Sequence, residues 1–245
     1  MGSDSDSCKS VKNRPMLAIA GDLAGSKSLA NKEDKTLLCK CLLELNKNLG
    51  LLNGKLKNEV VMDYSIYGGD SFGATLSNLQ GVKCCEDLFP MAFDYSKHGL
   101  NGVHKAIGIG KVNYIPKNND SNSAYGYNYV NGNIALSHAK QAYKLCGYTS
   151  IRFKTGDDTS FAVDSMLNEI GVLSSKHPDV CKELNKYTIA FLNILLCKNQ
   201  NAESAINDMH NELESLKSKS LGDNGIIHAE LAIMWLGLYK KLHTS

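Results

Sequence analysis

A chain of 245 residues with a net charge of +2, 43% hydrophobic and 21% charged residues, has the composition of an ordinary globular protein with one large or two modest domains. No apolar run approaches the roughly 20 residues needed to cross a bilayer, and the near-neutral charge argues against a chain built chiefly to bind nucleic acid. Nearly all the positive charge is lysine, with Arg14 and Arg152 the only arginines, which disfavours recognition by many bidentate guanidinium forks.

The opening stretch MGSDSDSCKS is polar and acidic, lacks the apolar core of a signal peptide and reads as a lead-in over residues 1–13. Residues 15–20, PMLAIA, predict a short buried strand ending at Gly21-Asp22, followed by a turn of Leu23, Ala24, Gly25, Ser26 and Lys27. From Lys32 to Leu52, leucines at 37, 38, 42, 45, 49 and 52 mark one apolar face of a long helix. Residues 58–67 and 71–76 are β-prone and joined by Gly68-Gly69-Asp70, a hairpin signal. Gly81–Lys97 reads as a helix interrupted by Pro90, and Lys105–Tyr114 alternates like a strand. The Asn-, Ser-, Tyr- and Gly-rich residues 117–133 read as an exposed loop, 134–145 as a helix and 149–154 as a strand. This order predicts an α/β sandwich with a mixed sheet. Beyond Gly156-Asp157-Asp158 the pattern becomes helical, over 161–174, 180–198, 202–217 and 226–240, which divides the chain into 14–156 and a helical domain 157–245.

Three segments carry chemistry. In AIAGDLAGSKSL, residues 18–29, a buried strand ends in Asp22, whose desolvation costs several kcal/mol unless a cation or donor compensates it. The small residues that follow let backbone N–H groups approach phosphate oxygens, with Lys27 in reach of a terminal phosphate. In YSIYGGDSFGATL, residues 64–76, Gly68 and Gly69 permit a tight turn carrying Asp70 at its tip. If the hairpin lies beside the first strand, the two acids converge, and Mg²⁺ or Mn²⁺ suits such a pair because it takes one or two carboxylates plus substrate phosphates. The third, AIGIGKVNY followed by YNYVNGNIALSHAKQAY, supplies a glycine-interrupted strand and a helix bearing Lys140. The eight cysteines form no CxxC and no His/Cys cluster at zinc-ligand spacing, so reduced thiols in a cytoplasmic setting are expected.

Taken in order, these motifs resemble the nucleotidyl cyclase superfamily, which includes class III adenylyl cyclases, GGDEF diguanylate cyclases and CRISPR-polymerase palm domains. Over residues 16–145 the chain is most similar to SatD-like proteins, with GDLAGS, GDSFG and the AKQA helix in matching order. The resemblance implies a ferredoxin-like palm, metal bound by Asp22, the carbonyl of Leu23 and Asp70, and a nucleoside triphosphate held by Leu23, Ala24, Gly25, Ser26, Lys27, Gly68, Gly69 and Lys140. It also implies conversion of nucleoside triphosphate, ATP or GTP, to a cyclic or oligomeric signalling nucleotide, with a homodimer as the expected assembly. Ser71 stands where GGDEF proteins have an acid, Ala24 where they have a second, and Ser137 with Lys140 or Gln141 near the late Asn and Arg of cyclases. A catalytically idle nucleotide-binding regulator is therefore the alternative, its helical domain binding DNA or a protein partner. Against DNA, residues 202–216 are acidic and no helix displays a basic face.

Overall fold

The computed structural model describes residues 14–30, 36–90, 93–115, 125–156, 160–197, 202–219 and 221–243. Its strands are β1 (Pro15–Ala24), β2 (Val60–Tyr67), β3 (Ser71–Leu76), β4 (Gly102–Tyr114), the two-residue β5 (Tyr125–Gly126) and β6 (Ile151–Thr155). The helices are α1 (Ser26–Ala30), α2 (Thr36–Lys55), α3 (Tyr127–Cys146), α4 (Phe161–Lys176), α5 (Lys182–Cys197), α6 (Ala202–Lys217) and α7 (Gly222–His243). The sheet runs β2-β3-β1-β4, antiparallel throughout, with β6 added parallel to β4 and β5 antiparallel to it, so the chain is an α/β protein with a mixed sheet.

β1 occupies the centre because it alternates small and large apolar side chains and is buried on both faces. Leu17, Ile19 and Leu23 join Phe72, Leu76, Ile107 and Phe153 in a core that continues through Met166, Leu192, Leu213 and Leu236. Helices α2, α4 and α5 pack on β2, β6 and β1 respectively, and Asn193 of α5 accepts the N–H of Leu79 at 2.8 Å. On the other face Ala18, Ala20, Gly73, Ala106 and Gly108 make a floor of small residues, and α3 lies on it across β1, β4 and β6. A Cβ at Gly108 would stand 2.1 Å from the backbone N of Gly132, so strand and helix meet backbone to backbone.

Several predicted bounds are corrected. β1 continues two residues past Asp22, so Leu23 and Ala24 are buried strand residues and the turn begins at Gly25, whose φ is +96°. The helix predicted over 81–97 is replaced by two 3₁₀ turns, Cys85–Leu88 and Ser96–His98. Pro90 removes a donor and forces its predecessor, Phe89, to an extended conformation (φ −125°, ψ 160°) incompatible with a continuous helix. The loop predicted over 117–133 is helical from Tyr127 onward, while 117–124 lie outside the described residues. Asn and Gly disfavour a helix there, but close packing of Gly132 and the hydrogen bond from Asn131 Nδ2 to the Ile109 carbonyl (2.7 Å) override propensity. Likewise α7 starts at Gly222, four residues before the apolar run that signals it.

Candidate functional site

Side chains directly opposite on neighbouring strands share a face. The register pairs Tyr67 with Ser71, Ser71 with Asp22 and Asp22 with His104, so one row crosses β2, β3, β1 and β4 at the end of the small-residue floor. Ser71 Oγ donates to Asp22 Oδ1 at 2.6 Å, and from α3 above the row Lys140 Nζ lies 3.0 Å from Asp22 Oδ2. Asp22 is 9% exposed, and these two partners compensate its desolvation.

Asp70 sits in the hairpin turn, one residue before Ser71. Gly68 (φ +60°) and Gly69 (φ +91°) take the left-handed conformations that a three-residue connection between paired Tyr67 and Ser71 requires. The carbonyl of Asp70 accepts the N–H of Leu23 at 3.3 Å, and its carboxylate accepts a hydrogen bond from the buried Ser26 hydroxyl. In an antiparallel ladder the N–H and C=O of one residue point to the same edge, so the Leu23 carbonyl faces the hairpin as well. The two acids therefore stand at the same end of adjacent strands, each bound to a serine from the other's segment.

His104, 7% exposed, completes the row edge-on to Tyr143 (5.2 Å between centroids), and its Nδ1 is buried with no hydrogen-bond partner among the described residues. Burial lowers its pKa, with Lys140 acting in the same direction, while Asp22 and Asp70 oppose it, so one imidazole feels both acids. Tyr67 lies over Gly73, where a Cβ would come within 2.9 Å of its ring, and burial followed by the charge of Asp22 and by Tyr129 pushes its hydroxyl up to about 12. Tyr129, in the first turn of α3, closes the far end of this face with its hydroxyl 2.7 Å from Thr75 Oγ1.

Among the residues expected from sequence, the fold brings together Asp22, Leu23, Ser26, Gly68, Gly69, Asp70 and Lys140. Ala24 is buried at the strand end, Gly25 makes the turn, and Lys27 is exposed on α1. Tyr67, Ser71, His104 and Tyr143 complete the cluster although none belongs to the site expected from sequence: Ser71 enters there only in place of an acid, and His104 reads as a surface or core-edge histidine. Alternation along β4 is the signal for His104, since it shares a face with Ala106, Gly108 and Gly110, but the strand predicted from Lys105 begins just beyond it.

The two carboxylates and a carbonyl match the donor set of a hard divalent ion that keeps water and phosphate oxygens in its shell. Among the described residues no three His, Cys, Asp or Glu side chains gather into an all-protein metal cage. A groove of about 650 Å³ lies elsewhere, on the outer side of α2 between Lys40, Leu43, Lys47, Leu51 and Lys97, and shares no residue with the acid pair.

Fold and site thus define a class: an α/β chain whose mixed sheet holds paired acids at one end, beneath a helix-borne lysine. Compared with protein-family models, curated proteins and solved structures, the chain shows no match.

Proposed function

We propose that this protein is a metal-dependent nucleotidyl cyclase or nucleotidyltransferase, converting nucleoside triphosphate to a cyclic or oligomeric signalling nucleotide with release of pyrophosphate. The observation carrying this reading is the convergence of Asp22 and Asp70, 48 residues apart in the chain, at one sheet end with Ser71, Ser26 and Lys140 bonded to them. In this reading residues 14–156 form a ferredoxin-like palm: the antiparallel order β2-β3-β1-β4 with α2 crossing from β1 to β2 supports it, while two 3₁₀ turns stand where the second crossover helix of that fold lies, between β3 and β4. Residues 157–245, whose described elements are the helices α4 to α7, are then its all-α part, with α4 and α5 packed on β6 and β1.

Mg²⁺ or Mn²⁺, held by Asp22, Asp70 and the Leu23 carbonyl, would lower the pKa of a ribose 3′-hydroxyl and neutralise charge at the α-phosphate. Gly68 and Gly69 leave open space where side chains would stand, which lets a triphosphate approach the hairpin backbone. Lys27, exposed beyond the turn, balances the charge of departing pyrophosphate. Lys140 neutralises Asp22 before substrate arrives and turns to a phosphate oxygen once Asp22 is otherwise engaged. No described helix is long and apolar enough to cross a membrane, and Cys39, Cys41, Cys84, Cys85, Cys146 and Cys181 are free thiols, in keeping with a cytoplasmic site of action.

The test is incubation with each nucleoside triphosphate and Mg²⁺ or Mn²⁺, followed by mass spectrometry of the products. Asp70→Ala is expected to lower turnover at least about a thousandfold, the loss of several kcal/mol of transition-state stabilisation. Normal turnover by that variant shows the site assignment to be wrong. One observation favours the regulator reading: Asp22 is already neutralised from within by Lys140. That reading expects saturable triphosphate binding with no product of any kind.

A further inference from the structure

α7 is apolar on two opposite sides. Gly225, Ala229, Ala232 and Leu236 are buried, and the helix packs on α4 and α6. At 100° per residue Ile227, Met234, Leu238 and Leu242 fall on the reverse side, and they are 51%, 52%, 39% and 59% exposed. Phe161, at the start of α4 and 60% exposed, extends this face by packing edge-on against Trp235 (5.1 Å). A contiguous exposed apolar stripe on a helix whose opposite side is already packed in the core marks an interaction surface.

The charges along the stripe indicate by what. Asp223, Glu230 and Lys241, all exposed, fall on one flank of it, acids in the first half and lysine in the last turn. In an antiparallel pair of identical helices that flank meets its own copy running the other way, so Glu230 approaches Lys241 of the second chain. A parallel pair would instead set the charged flank against the aromatic flank of Trp235. Opposed helix dipoles favour the antiparallel choice too. We propose that this face of α7 docks a second copy of the chain, antiparallel, about a two-fold axis passing near Met234. The inference stands independently of the chemistry assigned to the acid pair.

Sedimentation equilibrium of the full chain is expected to give twice the 26.7 kDa of one protomer. Met234→Glu, at the centre of the interface and exposed in the protomer, should raise the dimer dissociation constant about 100-fold or more while leaving the circular dichroism unchanged. Glu230→Lys touches no apolar contact; it should weaken the dimer about tenfold, and adding Lys241→Glu should restore it. Under mild oxidation Met234→Cys should link to its own copy beyond the wild-type background. Ile227→Cys should not, since some 14 residues of helix, about 21 Å, separate it from its copy. A monomer at high micromolar concentration, a dimer indifferent to Met234→Glu and to Glu230→Lys, or preferential linkage at position 227 overturns the proposal.

Discussion

The two faces of the sheet are built from opposite materials. Toward α2, α4 and α5 the strands present Leu17, Ile19, Phe72, Ile107 and Phe153, large side chains that interdigitate with the helices. Toward α3 the same strands present Ala18, Ala20, Gly73, Ala106 and Gly108, so small that the helix backbone rests on the strand backbone. The first face obtains its stability from buried volume, the second from close approach. On the first Lys105 is held in an ion pair with Glu86 over the Phe89 ring, whereas the second carries the polar row Ser71–Asp22–His104 where the floor of small residues ends. Polar groups sit there because hydrogen bonds and an ion pair meet their desolvation, and because the hairpin and α3 leave them an opening. A continuous apolar layer would offer neither.

That contrast is open to mutation from both sides. Phe72, fully buried on the large-residue face, should cost about 3–5 kcal/mol when truncated to alanine, read from urea unfolding. On the other face the sensitivity reverses. Gly108→Ala adds a single methyl yet places it against the Gly132 and Asn128 backbones, and should cost about 1–3 kcal/mol through overpacking. A neutral Gly108→Ala would break the distinction between the faces. Tyr129→Phe probes the polar margin: it strips the hydroxyl partner from Thr75, which is wholly buried, at a cost of about 1–2 kcal/mol.

The smallest expected effect is a pH dependence at His104. Burial, the largest influence, holds its folded pKa below the ordinary 6.5 despite Asp22 and Asp70. The unfolded chain then takes up the proton first, so the stability contributed by the neutral imidazole is full above pH 6.5 and is lost as pH falls from 6.5 toward the folded value. His104→Gln should flatten that part of the stability profile. An unchanged slope below pH 6.5 would mean the ring is not buried in its neutral form.

Much of this architecture was legible in the sequence. Periodicity marks the leucine face of α2, and Gly68-Gly69-Asp70 marks the hairpin, both close to their observed positions. Local signals fail where tertiary packing decides. Tyr127–Asn133 looks like a loop, since nothing in its own composition shows that Gly108 waits to receive Gly132. Gly81–Lys97 looks like a helix, and the proline that prevents it counts for more than the surrounding pattern. At the site, the acids are visible as motifs, but their partners depend on register. Ser71 meets Asp22 across 49 residues of chain, and Lys140 reaches it from a helix whose mixed composition gives no hint of direction.

In the proposed function Asp22 and Asp70 share one divalent ion with a triphosphate. Titration of Mn²⁺ followed by electron paramagnetic resonance, in the presence of a non-hydrolysable nucleoside triphosphate, addresses it without requiring turnover. Binding by the wild-type chain beyond what nucleotide alone binds, reduced about 10- to 100-fold in both Asp22→Asn and Asp70→Asn, is the predicted result. Wild-type Mn²⁺ affinity in either variant, with the fold intact, would contradict it.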